Sequence, residues 1–162
     1  MNDLKIREIH KEEYPILEEF LYHAIFLPPG AEPVPRKIIY EPEIYVYIKD
    51  FGKKDDCAVV AVRKGHIIGA AWTRIIPAYG HIDNETPELA ISVLPDFRGK
   101  GIGSKLMHKL FDLLRERGYR KTSLSVQKNN PAVNFYKRLG YEITGERLDH
   151  VNQEDFLMMK LL

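Results

Sequence analysis

The sequence predicts an α/β (α+β) fold: a mixed, mostly antiparallel twisted sheet of about seven strands, flanked by about four helices, with a βαβ unit at its centre. Three observations carry this. "LKIREI" and "CAVVAVRKGHIIGAAWTRII" show strand patterning, the latter as two runs folding back at Lys64-Gly65. "ELAISV" runs directly into the glycine-rich turn "PDFRGKGIGS". Behind that turn, Ile102, Leu106, Leu110, Leu113 and Leu114 recur at helical spacing until Gly118. A strand, a tight turn, a helix and a further strand make a right-handed crossover.

The elements follow in order. Leu4 to Ile9 alternates apolar and charged residues, as a half-buried strand does. Ile16, Leu17, Phe20, Leu21, Ala24 and Ile25 place a helix from about Glu12 to Phe26. "LPPGAEPVPRK" holds four prolines and a glycine, so it is loop. Pro42 at a first-turn position suggests a short second helix. The hairpin from Cys57 and the strand "ELAISVL" come next, joined by the loop "PAYGHIDNET". After the central helix, "KTSLSVQ" is a strand. Asn130 as cap, Pro131 at the first helical position and Gly140 as stop bracket the last helix, and "YEITGERL" and "DFLMMKLL" close the sheet.

The chain has 162 residues, 44% hydrophobic and 29% charged, a balance that suits one domain spanning 1–162. The 24 Lys and Arg against 23 Asp and Glu leave a net charge of +1. That argues against nucleic-acid or membrane-surface binding, which needs a clustered basic excess. The single cysteine, Cys57, forms no intrachain disulfide and reads as a small buried hydrophobe. "MNDLKIREIHKEEY" is too charged for a signal peptide, and no apolar run reaches membrane-spanning length, so a cytoplasmic protein is expected.

The glycine turn carries chemistry. A strand feeding a helix through Arg98-Gly99-Lys100-Gly101-Ile102-Gly103-Ser104 exposes backbone N–H groups at a helix N-terminus. With the helix dipole, two cations and a serine hydroxyl, these suit a diphosphate. No G-x-x-x-x-G-K-[ST] string is present. The G-x-G-x-x-G fingerprint fails at Ser104, and no ribose-binding acid ends the following strand. The pattern [Q/R]-x-x-G-x-[G/A] is met by Arg98, Gly101 and Gly103.

With Asn129-x-x-Ala132-x-x-x-Tyr136 and "LGY" at matching separation, the stretch from "ELAISVLPDFRGKGIG" to "YEITGE" resembles the core of the GCN5-related N-acetyltransferase (GNAT) superfamily. The resemblance implies that family's fold, with splayed central strands, and an acetyl-CoA (coenzyme A) donor. Its pyrophosphate would lie on Gly99 to Ser104, beside Arg98. Its pantetheine arm would pair with backbone near Ile91, Val93 and Leu94, with Asn129, Ala132 and Tyr136 lining the site. Tyr136 falls where the family has its general acid, though an aromatic beside Phe135 and Leu139 also suits a core. Asn129 takes the family position, and Asn130 suits a cap.

The base stays open in sequence. Glu88, at the start of the strand, and Glu85, in the preceding loop, are both candidates, with His81 and Asp83 as alternatives. The spacing His81-x-Asp83-x-Glu85 is not diagnostic of a metal site, and the family's chemistry uses no metal. Aromatic and polar residues that could line an acceptor pocket are Phe26, Tyr40, Tyr45 and Tyr47, then Trp72, Arg74, Tyr79 and His81; each also suits a core. The resemblance therefore implies N-acetyl transfer to a primary amine, a small molecule as partner, and a chain compatible with a homodimer. A non-catalytic acyl-CoA sensor of the same fold is the second reading, and a dinucleotide-binding oxidoreductase module a distant third.

Overall fold

The computed structural model describes residues 3–162. It contains one seven-stranded sheet in the order β1-β2-β3-β4-β5-β7-β6, where β1 is Leu4–Glu8, β2 Cys57–Arg63, β3 His66–Arg74, β4 Glu88–Val93, β5 Lys121–Gln127, β6 Glu142–Leu148 and β7 Glu154–Leu161. Four helices complete it: α1 (Leu17–Ala24), α2 (Pro42–Tyr45), α3 (Ile102–Glu116) and α4 (Ala132–Arg138). Neighbouring strands are antiparallel except β4 and β5, which α3 joins as the parallel pair of a βαβ unit. No helix among the described residues is long and apolar enough to cross a membrane.

One expected element differs. The helix read from about Glu12 to Phe26 is a 3-10 stretch, Lys11–Ile16, followed by the shorter α1. Pro15 lies inside the first stretch. It has no N–H to donate and biases its predecessor away from α geometry, so regular helix begins only after it.

The sheet separates two apolar clusters. On one face, Ile102, Leu106, Met107, Leu110, Phe111 and Leu114 of α3 form a buried stripe at spacings of three and four residues. They pack against Val59, Ala61, Leu89, Leu124, Val126 and Met158. On the other face, Leu17, Phe20 and Leu21 of α1 cover Ala58, Val60, Ala70 and Trp72. Side chains alternate along a strand. Leu89, Ile91 and Val93 therefore pack on the α3 face, while Ala90 packs on the α1 face with Glu88 and Ser92 in phase. Ser92 Oγ donates to the Phe20 carbonyl at 2.6 Å, pinning α1 to β4.

The pairing of β4 decides where the sheet opens. Leu94 N–H donates to the Ile68 carbonyl, and Val93 and Ile91 lie opposite Gly69 and Ala71. Hydrogen-bonded and non-bonded positions alternate in an antiparallel pair. Residues 88, 90, 92 and 94 thus turn their backbone groups toward β3, and Leu89, Ile91 and Val93 toward β5. On that edge β4 and β5 share one bridge, Glu88 with Ser123, in which Ser123 N–H donates to the Pro87 carbonyl at 3.0 Å. Beyond it the strands part, and the N–H groups of Ile91 and Val93 face the gap.

Candidate active site

The gap runs toward the glycine turn. Gly99 and Gly101 have φ of 73° and 80°, left-handed values that L side chains rarely adopt. This geometry brings the chain from β4 into α3 with its first amides turned outward. Gly101 stands at the cap position with no side chain capping it, and Lys105 is the first residue whose N–H reaches an intrahelical carbonyl, that of Gly101. Gly101, Ile102, Gly103 and Ser104 therefore present amides without a hydrogen-bond partner among the described residues. The Ile102 side chain is buried in the core, which fixes the helix end beneath those amides.

Exposed Arg98 and Lys100 flank the turn. Arg98 Nε donates to the Val93 carbonyl at 2.8 Å, and its Nη2 to the His23 carbonyl at 3.3 Å. It thereby braces the mouth of the gap against α1 while leaving positive charge beside the amides. A diphosphate-bearing group with an extended arm fits these residues: unpaired amides and cations at one end, unpaired strand N–H groups along the gap. Leu94 is a correction to the expected set. Its N–H is bonded to Ile68, and its carbonyl accepts from Phe97 N–H, so its backbone is already paired.

Tyr136 lies on α4, partly buried against the core on the α3 face of the sheet. The side chain of Asn130 caps this helix, Oδ1 accepting from Ala132 N–H at 2.9 Å, while Asn129 is exposed at the turn before it. Tyr136 stacks edge-on against Tyr141 with ring centroids 5.8 Å apart. Burial pushes its phenol up to about 12, so it is fully protonated at neutral pH. No described residue hydrogen-bonds its hydroxyl.

Glu88 stands at the other end of β4, 2% exposed, with its side chain on the α1 face. Its Oε2 accepts from the Tyr47 hydroxyl and from Gly80 N–H, the latter at 2.9 Å. Oε1 is buried with no partner among the described residues. Burial raises the carboxyl to about 7, against the lowering effects of Tyr47, Gly80 and Arg147. Glu85, by contrast, is exposed in the loop. Asp83 has a structural task, with Oδ1 accepting from Glu85 N–H and Thr86 Oγ1 at 2.8 Å each and Oδ2 paired with Lys121 at 2.9 Å.

The acceptor-side aromatics divide. Trp72 is another correction: it is fully buried under α1 and donates Nε1–H to the Tyr47 carbonyl at 2.9 Å, so it is core. Arg74 is likewise buried, in an ion pair with Asp56. Tyr79 instead lines a hollow of about 340 Å³ with Pro42, Glu43, Val46, Pro77, Ala78 and Arg147. Its hydroxyl bonds His150 Nδ1 at 2.7 Å, and Arg147 donates to the carbonyls of Tyr79 and His81 at 2.9 and 2.7 Å. Phe26 is half-buried just past α1. Arg147, His150 and Gly80 escaped the sequence reading. Tyr47 figured there only as one aromatic among several, because its partner Glu88 is 41 residues away.

The comparisons agree with this geometry. A Methanocaldococcus jannaschii protein named an uncharacterized N-acetyltransferase is 49% identical over 53 residues, covering 32% of this chain and 24% of its own. A Bacillus subtilis protein, whose name assigns it provisionally to ribosomal-protein alanine N-acetylation, is 31% identical over 104 residues, 62% of this chain and 65% of its own. The chain thus spans less than two thirds of either relative. Among solved structures, the ribosomal-protein-alanine N-acetyltransferase of Brucella melitensis superposes with a TM-score of 0.70, covering 98% of this chain and 99% of that one at 22% identity, a likeness of fold. The model of the Acetyltransferase (GNAT) family matches residues 5–141, the stretch that holds the gap, the glycine turn, Glu88 and Tyr136, and the chain belongs to that family.

Proposed function

We propose that the protein is an acetyl-CoA-dependent N-acetyltransferase that acetylates a primary amine, chiefly of small molecules, by direct attack within a ternary complex. The observation that carries this is the free edge of β4 leading into the uncapped N-terminus of α3, with the buried carboxyl of Glu88 at the start of β4. Acetyl-CoA supplies an activated acyl carbonyl and a thiol leaving group.

The chain's own residues do the rest. The amides of Gly101 to Ser104, with Arg98 and Lys100, hold the diphosphate. The N–H groups of Ile91 and Val93 hold the arm and polarise the carbonyl oxygen in the gap. Asn129, exposed at the start of α4, and Ala132 border the same gap from the β5 side. Glu88 accepts, through water, the proton that the ammonium must lose before its nitrogen lone pair can attack. The C–N bond then forms, the C–S bond breaks, and the Tyr136 hydroxyl protonates the departing sulfur; the acylated nitrogen sheds its second proton to solvent, from which Tyr136 regains its own. Glu88 is favoured over Glu85 because its carboxyl titrates near 7, close to working pH, and sits on the strand that borders the gap. Tyr79, His81 and Phe26 are the acceptor-side candidates, and the names of the relatives make a ribosomal-protein alanine the second acceptor class to screen.

The test follows thiol release from acetyl-CoA with a panel of monoamines, diamines and an alanine-initiated peptide. Amine-dependent release with at least one acceptor is the expected result. Tight CoA binding without release for any acceptor, even at alkaline pH, would overturn catalysis in favour of an acyl-CoA-binding module.

A further inference from the structure

We propose that Tyr47 and Gly80 are positioning residues for Glu88, fixing Oε2 so that Oε1 alone is the oxygen that takes the proton. The proposal rests on the acetyltransferase reading above and adds two residues that it did not contain.

Both donors converge on one oxygen. The Tyr47 hydroxyl and Gly80 N–H bond Oε2, while Oε1 is buried and unpartnered among the described residues. Each donor is itself held. The Tyr47 carbonyl accepts from the indole of Trp72, a fully buried side chain of β3, so the segment after α2 is tied to the sheet at this residue. The Gly80 carbonyl accepts from Ser123 Oγ at 2.6 Å, on the same β5 residue that forms the bridge to Glu88. A Cβ at position 80 would lie 2.8 Å from Glu88 Cδ, from Oε2 and from the carbonyl carbon of Leu124. Real Cβ atoms do not approach so closely, so only glycine lets the loop amide reach the carboxylate. A distant segment, at Tyr47, and the loop just before β4, at Gly80, therefore close on a single oxygen.

The charged groups around Glu88 are few. Arg74 lies opposite it on β3, but its guanidinium is bonded to Asp56 and to the carbonyls of Val46 and Lys49. Arg147 of β6 acts at longer range, its hydrogen bonds going to the loop carbonyls of Tyr79 and His81. From β5 come only hydroxyls, those of Ser123 and Ser125. Tyr47 is pushed well above its ordinary value by burial and by Glu88, so it stays a donor throughout the working range. A hydrogen bond to the ionised carboxylate favours the charged form. Tyr47 thus offsets part of the burial effect and keeps Glu88 ionisable near neutral pH.

The experiment is Tyr47→Phe, which keeps the ring and removes only the hydroxyl, read two ways. Carbon-13 NMR titration of the Glu88 side-chain carboxyl is expected to show its midpoint rising by about one to two pH units. The acid limb of kcat/KM against pH is expected to move upward by the same amount, with the alkaline plateau within about threefold of the parent. A folded variant whose Glu88 titration is unmoved overturns the positioning. A titration that moves while the rate profile does not overturns Glu88 as the base, separating failure of the catalytic reading from failure of the contact. Gly80→Ala gives a second route: kcat is expected to fall by about 100-fold through displacement of the carboxylate, with CoA affinity within about threefold. Unchanged kcat in that variant overturns the role of Gly80.

Discussion

Tyr136 illustrates how a single side chain acquires a task from its surroundings. Packed against Tyr141 and titrating near 12, it retains its proton wherever the enzyme would work, and its hydroxyl is bonded to no described residue. An acid needs both properties: the proton must be present and not committed elsewhere. Tyr136→Phe is accordingly expected to lower kcat by about 100-fold, within the usual range for general-acid catalysis, with acetyl-CoA affinity within about threefold. Steady-state kinetics and calorimetric titration check the two halves, and unchanged turnover would remove Tyr136 from the role. The sequence singles the residue out because its spacing from Asn129 runs along one continuous turn and helix. The place of Trp72 was not legible. Strands β2 and β3 are apolar on both faces, so their pattern does not reveal which aromatic faces a cavity and which lies beneath α1.

In the proposed reaction, donor binding depends on the junction of β4 and α3. Its function resides in the backbone: positive φ at two glycines, an uncapped first turn and exposed amides. A side chain at Gly101 is disfavoured by φ of 80°, although the space around it is open. Gly101→Asp adds a carboxylate where a diphosphate is to bind, so CoA affinity is expected to fall beyond detection while circular dichroism stays that of the parent. Normal CoA binding by that variant would contradict the assignment of the turn. This junction was readable in sequence because glycine is costly in regular structure and three of them cluster behind a strand. The Glu88 arrangement was unreadable for the opposite reason. It is assembled from α2's flank, the β3–β4 loop and β4, and no local pattern links residues drawn from three segments.

Across the whole molecule, a buried ion pair ties the segment that carries Tyr47 to the end of β3. Arg74 and Asp56 have side chains 3% and 4% exposed. The guanidinium makes two bonds of 3.0 Å to the carboxylate and two more to the carbonyls of Val46 and Lys49, while Asp56 also accepts from Gly52 and Lys53 N–H. This network clamps residues 46–56, including Tyr47, to the end of β3. Arg74→Met would leave a buried carboxylate without its cation and two carbonyls without donors. The expected loss is about 3–5 kcal/mol, measured as a lower urea midpoint with an unchanged slope. A midpoint within error of the parent would mean that water replaces the guanidinium. The element order and the neighbours of the central βαβ unit followed from periodicity and turns. The late start of α1 was not foreseen, because the apolar spacing runs on through Pro15, and the parting of β4 from β5 followed only from the resemblance, since each strand's own sequence suits full pairing.

That parting also governs how the protein tolerates change. The gap proposed for the donor is edged by backbone N–H groups, and a backbone N–H is a feature that nineteen of the twenty amino acids share. Replacing the side chain at Ile91 or Val93 leaves its N–H in place, and proline alone removes it. The hollow lined by the side chains of Tyr79 and Arg147, with His150 bonded to Tyr79, has no such immunity. On the proposed reading, the donor half is thus buffered against mutation while the acceptor half is free to diversify, so a lineage could change its amine without relearning how to hold its thioester.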